Sequence, residues 1–251
     1  LNNLELVESA GYDYIEPTVI ETLIPEKTES EFVQIRKRLE KARIKPEAFN
    51  VFLPGDLKIT GENVDFDRVI QYVATATRRA KLIGGEIIVF GSGVARRFPD
   101  GFPQEKALLQ LLEFLHMAGN YAAKHEIIIA LEPLHRGETN LINLTIAAVE
   151  LVRVVNLPGI KVLVDLFHFT EENEPKENLL LARDELVHIH LAEPRQRLPP
   201  GTNNTYDYTP FFLVLKRIGY NARISIECQW TNFAAELNPA VAFIKSNYLT
   251  E

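Results

Sequence analysis

A chain of 251 residues, 46% of them hydrophobic, can bury one large core and has the length of a single α/β barrel. Its 34 acidic and 27 basic residues leave a formal charge of −7, too acidic to drive counterion release from nucleic acid, so a small-molecule partner is expected. The lone Cys228 excludes an intrachain disulfide framework and a cysteine zinc cluster. With no signal-peptide pattern and no apolar run of about 18 residues, a cytoplasmic protein without membrane partners is expected.

The opening LNNLELVESAGYDYIE reads as a helix followed by a strand. A chain that starts inside a helix and without methionine leads us to expect a further strand ahead of Leu1. Apolar, β-branched runs then recur at strand length: YDYIEP (12–17), KPEAFNVF (45–52), GEIIVFG (85–91), EIIIALE (126–132), IKVLVD (160–165), LVHIHLAE (186–193) and RISIE (223–227). Helical spacing separates most of them, in ESEFVQIRKRLEKAR, DFDRVIQYVATATRRAKLIG, QEKALLQLLEFLHMAGNYAAKH, NLTIAAVELVRVV and YTPFFLVLKRIG, with LNPAVAFIKSNYL as a last helix. This alternation predicts a parallel sheet. Seven strands, plus one before Leu1, predict an eight-stranded (β/α) TIM barrel occupying residues 1–251 as one domain. An open doubly wound sheet is the competing fold. It lacks a G-x-G-x-x-G turn after an early strand, since GSGVAR (91–96) follows a middle one without that spacing.

In a parallel barrel the C-terminal strand ends form one rim, which is where chemistry is built. Glu132 closes IIIALE, Asp165 closes KVLVD, His190 lies near the end of LVHIHL, and Glu227 closes RISIE. Any one of these alone reads as a capping carboxylate or a core histidine; four successive strands delivering such groups to one rim is a pattern. Three converging carboxylates repel one another unless a cation sits between them. Two Glu, one Asp and one His suit Mn²⁺ or Co²⁺, with Mg²⁺ as a further candidate, better than a structural zinc. His188 shares a face with His190 but lies one layer deeper, as an orienting or core group. His168, in the loop after Asp165, is placed to reach substrate or to be structural. Glu16 closes the earliest strand and either lines a sugar pocket or forms a rim ion pair. Arg96 and Arg97 either bind a phosphate or pair with acids.

On LEPLHRGETNLIN (131–143), VDLFHF (164–169), VHIHLAEP (187–194) and LKRIGYNARISIE (215–227), the chain resembles the xylose-isomerase-like barrel superfamily, and within it the ketose 3-epimerases. The match runs from about Gly85 to the C-terminus. The resemblance implies that the family's metal ligands fall on Glu132, Asp165, His190 and Glu227, and that Glu132 and Glu227 are also its acid/base pair. It implies substrate contacts at Glu138 and His168. The epimerases carry a sugar-holding arginine six residues beyond the metal histidine. Here Gln196 occupies that place, with Arg195 and Arg197 on either side as the two candidates for the role. The implied activity is C3 epimerisation of a ketose or ketose phosphate, with one divalent ion, in a homodimer or homotetramer. Alternatives on the same rim are an aldose–ketose isomerase such as hydroxypyruvate isomerase, an inosose dehydratase and, less well matched, a non-catalytic sugar-binding barrel. An apurinic endonuclease of the superfamily would need further histidines on earlier strands, and none of the six here precedes His116.

Overall fold

In the computed structural model, which describes residues 2–203 and 205–248, the aliphatic runs become parallel strands, buried on both faces except at the last, Arg223–Ile226, which is half-buried throughout. They are β1 (Ala48–Phe49), β2 (Ile87–Phe90), β3 (Ile128–Leu131), β4 (Ile160–Asp165), β5 (Leu186–Leu191) and β6 (Arg223–Ile226), and they pair in sequential order. Alternation divides their side chains between two cores. Ile87 and Val89 join Ala48, Ala130 and Leu163 in a small cluster on the inner face. Ile88 and Phe90 point the other way, into a large cluster shared with the helices.

The longer covering helices are amphipathic, and several are capped by a side chain at the N-terminus. The series begins with α1 (Leu4–Ser9), a π-helix (Val19–Leu23) and α2 (Glu29–Lys41), where Thr28 and Glu31 form a capping box. The Asp65 side chain accepts the Arg68 N–H at 3.0 Å to start α3 (Phe66–Leu82). The series continues through α4 (Gly93–Arg96), α5 (Gln104–Lys124), α6 (Thr145–Val155), α7 (Leu166–Glu171), α8 (Lys176–Leu181), α9 (Thr209–Arg217) and α10 (Phe233–Asn247). No described helix is long and apolar enough to cross a membrane.

Six of the seven expected strands form among the described residues, one of them shortened, and the seventh, at residues 12–17, does not. Residues 12–17 contribute only a bridge from Ile15 to Pro46, with a second from Thr18 to Asn50, because Pro17 has no N–H to donate. KPEAFNVF shrinks to two residues, its end set by Val51 in a left-handed conformation at φ 49°. An eight-strand count is not reached among the described residues. Between residues 12–17 and β6 lies a cavity of about 1070 Å³ whose walls include Tyr14, Glu16, Ser225, Trp230 and Leu237. The segment after Asp165, expected to be a loop, is the helix α7, and it carries His168.

Candidate metal and sugar site

Strand ladders carry the four rim residues to one point. The Glu132 N–H donates to the Phe90 carbonyl at 3.1 Å, and the Glu227 N–H to that of Leu191 at 3.1 Å, so each acid extends its strand by one residue. Asp165 stands in register with His190, and His190 with Ser225. One donor atom from each of Glu132, Asp165, His190 and Glu227 lies within 4.8 Å of the other three. Glycine makes room for this cluster. A Cβ on Gly91 would lie 2.3 Å from Glu132 Oε2, so any larger residue there would displace the carboxylate.

The cluster has the marks of a cation site. Glu132 Oε1 is buried and has no hydrogen-bond partner among the described residues, although burial without a partner is costly. Burial pushes Asp165 up to about 8, and Glu227 and Glu132 add to the rise while Arg197 opposes it. Burial also raises Glu132. Glu227 is only part-buried, and against its desolvation the adjoining His190 and Arg197 hold it down to about 2. Against its burial, Glu16 and Glu227 raise His190 well above the ordinary imidazole range. A divalent ion would relieve both the repulsion and the unpartnered oxygen, so the donor set fits one.

Around this point stand the residues expected to touch substrate. His168 Nε2 lies 3.6 Å from Asp165 Oδ2, and its Nδ1 accepts the His135 N–H at 3.3 Å. Burial lowers His168 to about 2, which keeps its ring neutral. Glu138 is exposed, with Oε1 3.3 Å from His135 Nε2 and 3.8 Å from Arg197 Nη1. Arg197 reaches inward to Asp165 Oδ2 at 2.8 Å and Glu227 Oε2 at 2.5 Å, its guanidinium 4.8 Å from the Phe167 ring centre. Gln196 and Arg197 are both left-handed, at φ 65° and 51°. Arg195 is exposed on the same loop.

Other placements differ from expectation. Glu16 is neither on the rim nor in an exposed ion pair: its side chain is 6% exposed and bonds to His188 and His190 beneath the cluster. Arg96 is fully buried on the carbonyls of Phe90 and Ile142, which leaves it out of reach of a phosphate; Arg97 is exposed. Sequence reasoning passed over two residues. His135 stacks on His168 with ring centres 5.2 Å apart, and Asn50 Nδ2 donates to Glu227 Oε1 at 3.1 Å. An amide inside the apolar run AFNVF was the available signal for Asn50; His135, in a polar loop, offered none.

Known proteins share this framework. L-ribulose 3-epimerase of Methylomonas sp. (strain DH-1) is 31% identical over 149 residues, 51% of this chain and 51% of that protein. Hydroxypyruvate isomerase of Escherichia coli (strain K12) is 28% identical over 159 residues, 62% of this chain and 60% of that one. The match thus spans about half to three fifths of these relatives' length. The solved structure of D-allulose 3-epimerase from Methylomonas sp. in complex with D-allulose superposes with a TM-score of 0.82 at 24% identity, covering 98% of this chain and 90% of that one. A family model described as xylose isomerase-like TIM barrel matches residues 4–247, and the chain belongs to that family.

Proposed function

We propose that the chain is a metal-dependent ketose 3-epimerase. The observation that carries the reading is the convergence of Glu132, Asp165, His190 and Glu227 within 4.8 Å, with a buried Glu132 oxygen left unpartnered. These four residues would hold one divalent ion, Mn²⁺ or Co²⁺ before Mg²⁺. When bound, the ion supplies electrostatic stabilisation for the negative charge that develops as the carbon beside a carbonyl gives up its proton. Glu132 and Glu227 come from strand positions three apart and so approach a sugar from different sides. One removes the C3 proton and the other returns a proton to the opposite face, the roles exchanging with reaction direction. Glu138, the neutral His168 and Arg197 orient the sugar hydroxyls. The epimerases among the relatives support this assignment.

The test is incubation of the Mn²⁺-loaded protein with ketopentoses and ketohexoses in D₂O. The expected result is the C3 epimer carrying deuterium at C3. The similarity to hydroxypyruvate isomerase favours a second reading, an aldose–ketose isomerisation on the same rim. Turnover of hydroxypyruvate with no C3 exchange in any ketose would establish that reading and sink the first.

Two further outcomes are expected. Protons on Asp165, held near 8, and on His190 compete with a cation, so binding must expel them. Affinity for Mn²⁺ should therefore rise with pH between about 6 and 8, by up to roughly tenfold per unit for each proton released. Calorimetric titrations in buffers of different ionisation enthalpy check both the slope and the proton count; a flat profile contradicts it. Arg197→Ala should raise KM for the sugar by about tenfold or more, the loss of roughly 1.4 kcal/mol of binding. Arg195→Ala should leave KM unchanged, and the opposite pattern in steady-state kinetics would transfer the role to Arg195.

A further inference from the structure

An imidazole that ligates an ion does so through one nitrogen, and the hydrogen bond made by the other nitrogen fixes which one that is. The two ring nitrogens of His190 face different surroundings. Nδ1 is 3.0 Å from Glu227 Oε2 and 3.6 Å from Glu132 Oε1, toward the carboxylate cluster. Nε2 points the other way and meets Glu16 Oε1 at 2.9 Å. We infer that Glu16 is the positioning residue of this site: it accepts the Nε2–H of His190 and so presents the Nδ1 lone pair to the ion. The inference rests on the metal-site reading above and adds to it a residue from outside the four ligands.

Glu16 is well held for this task. Its second oxygen lies 2.7 Å from His188 Nε2 and accepts the Ser225 hydroxyl at 2.5 Å. The Tyr14 hydroxyl is 2.8 Å from Ser225 Oγ. Both oxygens are thus engaged, on a side chain that is 6% exposed, and His188 beside it is fully buried. A carboxylate so restrained cannot swing toward the rim to touch a sugar. Strand periodicity explains the arrangement. His188 and Ser225 stand two residues before His190 and Glu227, so they form a layer of the inner face directly beneath the cluster, and Glu16 enters that layer. His188, expected to be an orienting or core group, orients Glu16 rather than the ion.

Glu16, His188 and His190 also offer three atoms close enough to hold a cation of their own. Their contacts of 2.7 and 2.9 Å are direct hydrogen bonds, and the Ser225 hydroxyl already occupies the remaining approach. A positioning role uses every one of these contacts, whereas a second ion would have to break them.

The experiment compares the wild-type protein with Glu16→Gln and Glu16→Asp. It uses Mn²⁺ titration calorimetry, the visible spectrum of bound Co²⁺ and far-ultraviolet circular dichroism. Glu16→Gln should fold and bind one Mn²⁺ about 10- to 100-fold more weakly than the wild type, with shifted Co²⁺ bands. Glu16→Asp, which keeps the charge but withdraws it by one methylene, should fall between the two. A Glu16→Gln protein with wild-type Mn²⁺ affinity and an unchanged Co²⁺ spectrum would overturn the inference, as would a wild-type stoichiometry of two ions falling to one in the variant. A wild-type protein that takes up neither metal would instead overturn the metal-site reading itself. Should Glu16→Gln fail to fold, the ¹⁵N shifts of the Zn²⁺-loaded wild type decide the matter. Protonated Nε2 and ligated Nδ1 on His190 are expected, and the reverse would overturn the assignment.

Discussion

Glu227→Gln should reduce exchange of the C3 proton of a ketose by a factor of about 10³ or more, and Glu132→Gln should do the same. A positioned acid or base typically contributes about 10² to 10⁴ to a rate, and each of these residues is proposed to serve as both proton carrier and ion ligand. The two losses should therefore lie at the upper end of that range and fail to add in the double variant. Both variants should remain folded. Glu227 borders the open rim, where the replacement amide can still accept from Asn50. Glu132→Gln gives the buried, unpartnered oxygen position a neutral group, which removes a desolvation cost while leaving the strand ladder intact. Solvent-deuterium incorporation followed by NMR at saturating Mn²⁺ separates weakened metal binding from lost proton transfer. Incorporation at even a tenth of the wild-type rate in either variant would remove that glutamate from the proton path.

Arg79→Met should cost about 2–3 kcal/mol of stability, because buried backbone carbonyls lose a charged donor. Arg79 extends from α3 and is only 1% exposed, yet it donates to three backbone carbonyls, those of Leu23 at 2.9 Å, Ile24 at 2.5 Å and Lys27 at 2.8 Å. It also pairs with Glu29 at 2.8 Å and lies 4.7 Å over the Phe32 ring. These carbonyls belong to the end of the π-helix and the turn after it, where Ile24 is left-handed and the helical ladder stops. Methionine fills much of the volume but takes the donor from the Leu23 and Lys27 carbonyls, while that of Ile24 keeps the Lys27 N–H at 2.9 Å. Urea denaturation gives the magnitude, and a loss below about 1 kcal/mol would show that water replaces the guanidinium at little cost. The π-helix that this turn ends begins directly after Thr18, two residues beyond Glu16, so weakened Mn²⁺ binding should accompany the lost stability.

Strands that ended on an acid or a histidine were readable because burial on both faces makes a parallel strand a continuous aliphatic run, and a polar terminus interrupts it visibly. What the run does not encode is height within the barrel. Glu16, expected to close a strand, follows an isolated bridge at Ile15 and lies beneath the cluster on His188 and His190; the height depends on how neighbouring strands are staggered, including the register shift between Val162 and Leu163. α7 and α8 escaped notice for a different reason. Each has six residues, too few to display a helical period, and they are separated by the polar turn leading to Pro175. α7 depends instead on the Asp165 side chain accepting the Phe167 N–H at 2.8 Å, so one carboxylate both starts a helix and joins the site. The arginine ambiguity reflects backbone conformation, since no local pattern announces two consecutive left-handed residues other than glycine.

Those two residues, Gln196 and Arg197, have a consequence for how relatives of this chain are compared. Its inward-reaching arginine arrives one place later than the epimerase spacing calls for. On the role proposed for Arg197, the left-handed pair is a phase correction that absorbs the extra residue; the guanidinium lies 2.8 Å from Asp165. A comparison that scores aligned columns would record an arginine lost at position 196 and class the chain as impaired. Counting by where each side chain ends in space would find a guanidinium beside Asp165 and Glu227. Homologues with glycine or asparagine at position 196 should tolerate the same displacement most readily, because those residues enter the left-handed region at least cost.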